Sequence, residues 1–208
     1  MTTGWRGGVR IPETQYTLVD GLEIAYQVIG DGPVDLVYHH GTCHLDLQWY
    51  VEAESRFNRR LASFSRLILF DRRGIGVSQR LPEGHPPSWE EWTADLLGVL
   101  DAAESEQAAI FVENEATGPA LLLAAQHPER VRSLVIHRGW ARFAAAPDYL
   151  IGFSQEEIEA RAKLMEAVWA TPELMRSLFP HISDDDLDAV CRVGRGALTP
   201  RLGANQLR

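Results

Sequence analysis

An α/β fold, a mostly parallel sheet opened by an antiparallel hairpin and covered by helices on both faces, is predicted by three features of this 208-residue chain. Four short runs, Val34–His39, Leu67–Phe70, Ala109–Val112 and Ser133–Ile136, are almost continuously apolar. Strands without polar alternation are covered on both faces, as in a parallel sheet. Amphipathic stretches separate them, the alternation expected of a layered α/β core. Ahead of them, the β-rich runs Tyr16–Val19 and Glu23–Ile29 flank Asp20-Gly21, a strong short hairpin signal.

The elements follow in order. After the hairpin, Gly30-Asp-Gly-Pro33 turns the chain into the first apolar strand. Helices are predicted over Glu52–Ala62, Trp89–Ala103 and Thr117–His127, the second capped by Ser88 with Glu90 and Glu91 in its first turn. Residues 1–147 read as the amino-terminal part of the core. From 148 to 208 the texture becomes a helical lid followed by an irregular tail. Ser154-Gln-Glu-Glu157 has the form of a capping box leading into Ile158–Trp169. Thr171-Pro172 opens a short helix to Leu178, and Ser183 caps another reaching about Arg192. Gly194, Gly196, Pro200 and Gly203 are expected to break regular structure through to Arg208.

Bulk composition narrows the function classes. A formal charge of −9 repels phosphate backbones, so no nucleic-acid partner is expected, and the arginines from Arg192 to Arg208 read as a solvated tail. The longest wholly aliphatic run, Ala120–Ala125, is far short of a bilayer span, and Met1-Thr-Thr-Gly-Trp-Arg-Gly-Gly lacks a signal peptide's apolar segment. A cytoplasmic protein without a membrane span is the expectation. Cys43 and Cys191 are too few for a disulfide framework and are expected as reduced thiols.

The chemistry centres on residues 109–119, Ala-Ile-Phe-Val-Glu-Asn-Glu-Ala-Thr-Gly-Pro, a buried strand that turns sharply into a helix with Asn114 at the apex. In a nucleophile elbow of the Gly-x-Ser-x-Gly type, this place holds a serine whose oxygen stands on a strained strand-to-helix turn. Here the three defining positions hold Val112, Asn114 and Ala116. A carboxamide nitrogen is delocalised into its carbonyl and is a poor nucleophile at neutral pH. Asn does tolerate the left-handed backbone such a turn requires. Its amide could bind a carbonyl or carboxylate at the helix start, and deamidation to a nucleophilic aspartate is a rarer alternative.

Other residue types in suggestive places carry less. His39, His40, Cys43 and His44 could supply metal ligands, but adjacent strand residues point to opposite faces, so no metal site is expected. His40 is expected to shape the loop after its strand and His44 to line a pocket. Asp71-Arg-Arg-Gly-Ile-Gly-Val-Ser78 lacks the Lys-Ser/Thr ending or the dinucleotide spacing of a phosphate loop, and its Asp and arginines are expected to fix the elbow. No cofactor is expected. Glu113 and Glu115 flank the apex, and in a shared pocket they would repel each other.

The order of these pieces resembles the amino-terminal two-thirds of an α/β-hydrolase-fold protein: a hairpin, a strand ending in His40-Gly41, a strand ending in Asp71-Arg-Arg-Gly-Ile-Gly-Val-Ser78, an elbow, and His127-Pro-Glu-Arg130 before another strand. Residues 62–74 and Glu115 further resemble the hydrolase-like domains attached to nucleotide cyclases. The resemblance spans about Thr14 to Phe143. A spacing of fourteen from Asn114 to Pro128 places Asn114 at the nucleophile position, whereas a slipped alignment on Thr117-Gly118-Pro119 would place Glu115 there; neither register yields a serine. The resemblance implies an oxyanion hole from the backbone N–H groups of Glu115 and Thr42, beside Gly41, with His40, His44 and Glu113 as candidate pocket residues. It also implies a triad acid after a strand beyond the lid and a histidine after the final strand, neither of which these residues display. The expected function is therefore that of an esterase-type hydrolase by descent, impaired in catalysis, or of a module that binds a small ester or acid without turnover. An uncovered sheet edge would favour a homodimer.

Overall fold

The computed structural model describes residues 11–82 and 86–207. Among the described residues, six strands form one mixed sheet: β1 (Gln15–Val19), β2 (Leu22–Ile29), β3 (Asp35–His39), β4 (Arg66–Asp71), β5 (Ala108–Glu113) and β6 (Val131–His137). Their order is β1-β2-β4-β3-β5-β6. The β1–β2 and β2–β4 pairs are antiparallel, and β3, β4, β5 and β6 run parallel to one another. The hairpin turn takes positive φ at both Asp20 (52°) and Gly21 (80°), the geometry that matches the twist of two antiparallel strands.

Two apolar layers sandwich the sheet. On one face α2 (Trp89–Ala102) and α3 (Thr117–Gln126) cover Ile24, Val37, Ile68, Ile110 and Val112. On the other, α1 (Glu52–Ala62) and the 3₁₀ turn Leu47–Tyr50 close over Leu36, Tyr38, Leu67 and Leu69. Ser88 and Glu91 form the complete reciprocal cap of α2. The wholly buried Gln27 accepts the Trp49 indole N–H at 2.9 Å, so that layer contains a satisfied polar contact.

β6 departs from the sequence expectation. Its apolar run predicts a strand covered on both faces, yet most of its residues are exposed, with Val135 at 52% and Ile136 at 43%. The strand pairs with β5 along one side and forms the sheet's edge along the other. Apolar composition records what a strand is suited to pack against, and the described residues do not cover this one.

Beyond β6 an irregular stretch with two isolated bridges leads into helices that run to Leu207. α4 (Gln155–Val168), α5 (Pro172–Leu178), α6 (Asp184–Ala197) and α7 (Pro200–Leu207) follow one another. The irregular tail expected after Arg192 is thus corrected: α6 continues through Gly194 and Gly196, and α7 starts at Pro200. The glycines are contact points here. A methyl group at Gly194 would stand 3.0 Å from the Ala170 Cβ, and one at Gly196 would stand 2.7 Å from the His44 ring and from Leu47. Pro200 occupies the first turn of α7, where its missing N–H costs nothing, and Thr199 Oγ1 accepts from Leu202 N at 3.3 Å. Arg80 donates to the carbonyls of Ala197 and Gly196 at 2.6 and 2.7 Å, tying the end of α6 to the core. At the end of α4, Trp169 donates its indole N–H to the carbonyls of Gly194 and Leu198, while Leu164 stays exposed. Among the described residues, no helix is long and apolar enough to cross a membrane.

Candidate functional site

The carboxyl ends of β3, β4 and β5 converge where open parallel sheets bind ligands. β5 ends at Glu113, a 3₁₀ turn spans Asn114–Ala116, and α3 begins at Thr117. Asn114 sits at φ 52°, the left-handed region that L-residues enter at a cost, so the strained apex expected of a nucleophile elbow is present with an amide on it. Asn114 is half-buried.

The two carboxylates beside the apex turn apart. Glu113 Oε1 lies 2.8 Å from His137 Nδ1 on the adjacent strand, with His137 exposed. Glu115 crosses to the loop after β3, where its Oε1 accepts from Thr42 Oγ1 at 2.9 Å and from Arg72 Nη2 at 3.2 Å. Gly41, at φ 80°, lies so near that a Cβ there would come within 2.6 Å of the Glu115 carboxylate. Gly41, Thr42 and Glu115 are therefore together, joined through the Glu115 side chain. A pocket shared by Glu113 and Glu115 does not form, because opposing partners draw them to separate neighbours.

The histidines take separate places. His39 is buried with its ring 4.5 Å from Phe70, while His40 stacks on Tyr38 at 5.3 Å, on the opposite face of the sheet. Burial holds the His39 imidazole well below its ordinary pKa, with the Arg72 charge adding to the effect. His44 Nδ1 faces Leu47 N at 3.4 Å and its ring backs onto Gly196, so it joins the β3 loop to α6. Burial lowers its pKa too. Cys43 and Cys191 are free and buried, and desolvation pushes the Cys43 thiol well up. Among the described residues, no group of three or more His, Cys, Asp or Glu is placed to hold a metal ion.

The Asp71–Ser78 loop has a divided role, which corrects the expectation that all three charged residues fix the elbow. Arg72 alone reaches it. Asp71 Oδ2 accepts from Val77 N at 2.9 Å and from Leu45 N at 3.1 Å, holding its own loop and the loop after β3. Ser78 donates its hydroxyl to the Asp71 carbonyl. Arg73 turns to α2 and the hairpin, on Asp95 and Asp20.

Burial pushes the Asp71 carboxyl up to about 7, against the two backbone N–H groups that favour its ionised form. The folded protein thus holds this proton more tightly than the unfolded chain, whose carboxyl titrates near pH 4. Asp71's contribution to stability is complete below about pH 4 and is lost as the pH rises through about 7. Asp71→Asn keeps an acceptor for both N–H groups and removes the charge. Its Tm, followed from acid to neutral pH, is expected to fall less than that of the parent over this window. Parallel Tm profiles would show that Asp71 is not the group responsible.

His137 was not identified from the sequence. Its approach to Glu113 depends on the β5–β6 register, which sets Glu113 opposite His137, and no local motif encodes that register.

No family model matches the chain. Over 76 residues it is 43% identical to a 2-hydroxymuconate semialdehyde hydrolase of Pseudomonas sp. (strain CF600), a match covering 36% of this chain and 26% of that protein. Over 123 residues it is 32% identical to a 2-hydroxy-6-oxo-2,4-heptadienoate hydrolase of Pseudomonas putida, covering 57% of this chain and 42% of that one. The chain therefore spans less than half the length of these curated relatives. Its fold superposes on the crystal structure of a Bacillus megaterium epoxide hydrolase with a TM-score of 0.66 at 15% identity, covering 92% of this chain and 71% of that one. With the Burkholderia xenovorans enol-lactonase the TM-score is 0.56 at 22% identity, covering 88% and 74%. The partial sequence matches to hydrolases and the superposition on hydrolase structures show that this chain has the α/β-hydrolase fold.

Proposed function

We propose that this chain is an esterase-type hydrolase by descent that binds a small organic acid or ester without Ser-His-Asp turnover. The observation that carries the reading is Asn114 at the strained apex, φ 52°, where a hydroxyl would have to stand for acyl transfer. The chain's own residues supply no substitute at that apex. Past β6 the described residues hold helices α4–α7 and no further strand. The relatives' names, hydrolases of 2-hydroxymuconate semialdehyde and of 2-hydroxy-6-oxo-2,4-heptadienoate, support a small organic acid as the ligand class.

Hydrolysis of p-nitrophenyl acetate tests the reading. The 208-residue chain is expected to stay at the buffer rate, and Asn114→Ser is expected to stay there too, because a serine without its base is not activated. Turnover by the parent chain that disappears in Asn114→Ala would defeat the reading, and rescue by Asn114→Ser would show that a base is in place.

The β6 edge supports a homodimer. β6 is the last strand in the sheet order among the described residues, and with Val135 and Ile136 exposed it is suited to strand pairing. Sedimentation velocity is expected to show concentration-dependent association that is lost when Val135 and Ile136 are both replaced by Lys. A parent chain that sediments as a monomer throughout would exclude this surface as an interface.

A further inference from the structure

Arg72 is a buried charge with few partners among the described residues. Its side chain is wholly buried, with the guanidinium 3.9 Å from the centre of the Trp92 ring. A guanidinium carries five N–H donors. Here Nη2 makes two long contacts, 3.2 Å to Glu115 Oε1 and 3.3 Å to Gln206 Oε1, and the buried Nε and Nη1 meet no acceptor among the described residues. The buried Trp92 indole N–H and Thr117 hydroxyl also lack a partner there. All three unsatisfied side chains carry donors, and Thr117 begins α3, whose ten-residue length directs a positive helix end toward the elbow.

The counter-ion now on Arg72 is placed to leave. Glu115 is 30% exposed, unlike the arginine it neutralises, and stands one residue past the elbow apex, against Gly41 and the Thr42 hydroxyl. Rotation into solvent would free a space of carboxylate size bounded by Arg72, Thr42 and Gly41. Exchanging one carboxylate for another keeps the buried guanidinium neutralised, so the swap avoids the penalty of leaving a buried charge unpaired. A neutral ester or amide cannot make that exchange.

We propose that Arg72 is the receptor for the carboxylate of a small-molecule ligand, with Glu115 filling the receptor until the ligand displaces it. This deepens the binding reading above by naming the ligand's recognised group, and it rests on the chain being a binder. It does not depend on whether the elbow turns over esters, so the two can fail separately.

The test is thermal stabilisation of Glu115→Ala by sodium acetate, with acetamide and sodium chloride as controls. Removing the internal competitor is expected to lower the acetate concentration for half-maximal stabilisation roughly ten-fold relative to the parent chain, since an occupied receptor weakens apparent affinity by its occupancy. Acetamide and chloride should not reproduce the shift, and Arg72→Met in the Glu115→Ala background should abolish it. Should Glu115→Ala not fold, Glu115→Gln, which retains the side-chain shape without the charge, is read in the same way. Acetate stabilisation no greater than that of acetamide, or unchanged by Arg72→Met, would overturn the proposal while leaving the absence of ester turnover untouched.

Discussion

Arg73→Met is expected to cost about 3–5 kcal/mol of stability, the loss measured when one partner of a buried ion pair is removed, and to lower Tm by roughly 10 °C or more. Arg73 is 2% exposed, and the Asp95 side chain it faces is fully buried. Its Nε reaches Asp95 Oδ1 at 2.9 Å while its own backbone N–H reaches Oδ2 at 2.8 Å, so both carboxylate oxygens are held. Its Nη2 also lies 2.9 Å from Asp20 in the hairpin turn, and Nη1 lies 3.3 Å from Glu91 in the first turn of α2. One guanidinium thereby joins the hairpin, the loop after β4 and α2. Burial already pushes the Asp95 carboxyl up against the pull of Arg73. Without the arginine, that carboxylate must either remain unpaired in the interior or take up a proton. Chemical denaturation of Arg73→Met, Asp95→Leu and the double variant separates these costs. The double variant is expected to be more stable than Arg73→Met, because it removes the stranded charge. Arg73→Lys should recover little, since an ammonium cannot span Asp95 and Asp20 as the planar guanidinium does. A loss below about 1 kcal/mol for Arg73→Met would reduce the network to the worth of a surface pair.

Gly76→Ala is the second large effect, expected to cost about 3 kcal/mol or more from two additive causes, left-handed backbone strain and overpacking. Gly76 has φ 53°, and a Cβ built on it falls 1.8 Å from Asp71 Oδ2. That oxygen is the acceptor for Val77 N and Leu45 N, so the methyl group would expel the atom that pins two loops together. Gly21→Ala is the matched control: it too lies at positive φ, 80°, but a Cβ there meets nothing within 4 Å. Its expected cost is about 1 kcal/mol, the backbone share alone. Equal losses at the two positions, measured by denaturant unfolding, would show that the contact with Asp71 adds nothing.

What could be read from the chain follows the range of the interactions concerned. The hairpin at Asp20-Gly21 and the cap at Ser88 are local devices, and both take the form their residues predict. The strand, tight turn and helix around Asn114 were legible because they are adjacent in sequence, and Asn114 adopts the left-handed backbone that its short polar side chain permits. The fates of Glu113 and Glu115 were not legible. One depends on the register that brings His137 alongside, and the other on a crossing from the elbow to Thr42 and Arg72, 73 and 43 residues away. The glycines of α6 misled for a related reason. Locally they disfavour helix, but in the fold they allow Ala170 and the His44 ring to approach closely, and tertiary contact outweighs propensity. β6 shows the converse, an apolar run whose covering partner is not among the described residues.

Intact-mass spectrometry after exposure to a fluorophosphonate tests the central claim most directly, because the reagent marks an activated hydroxyl whether or not a full catalytic cycle exists. The amide at the apex predicts an unchanged mass. An adduct mapped to any residue from Glu113 to Thr117 would show that the turn after β5 presents a working nucleophile and would contradict the account.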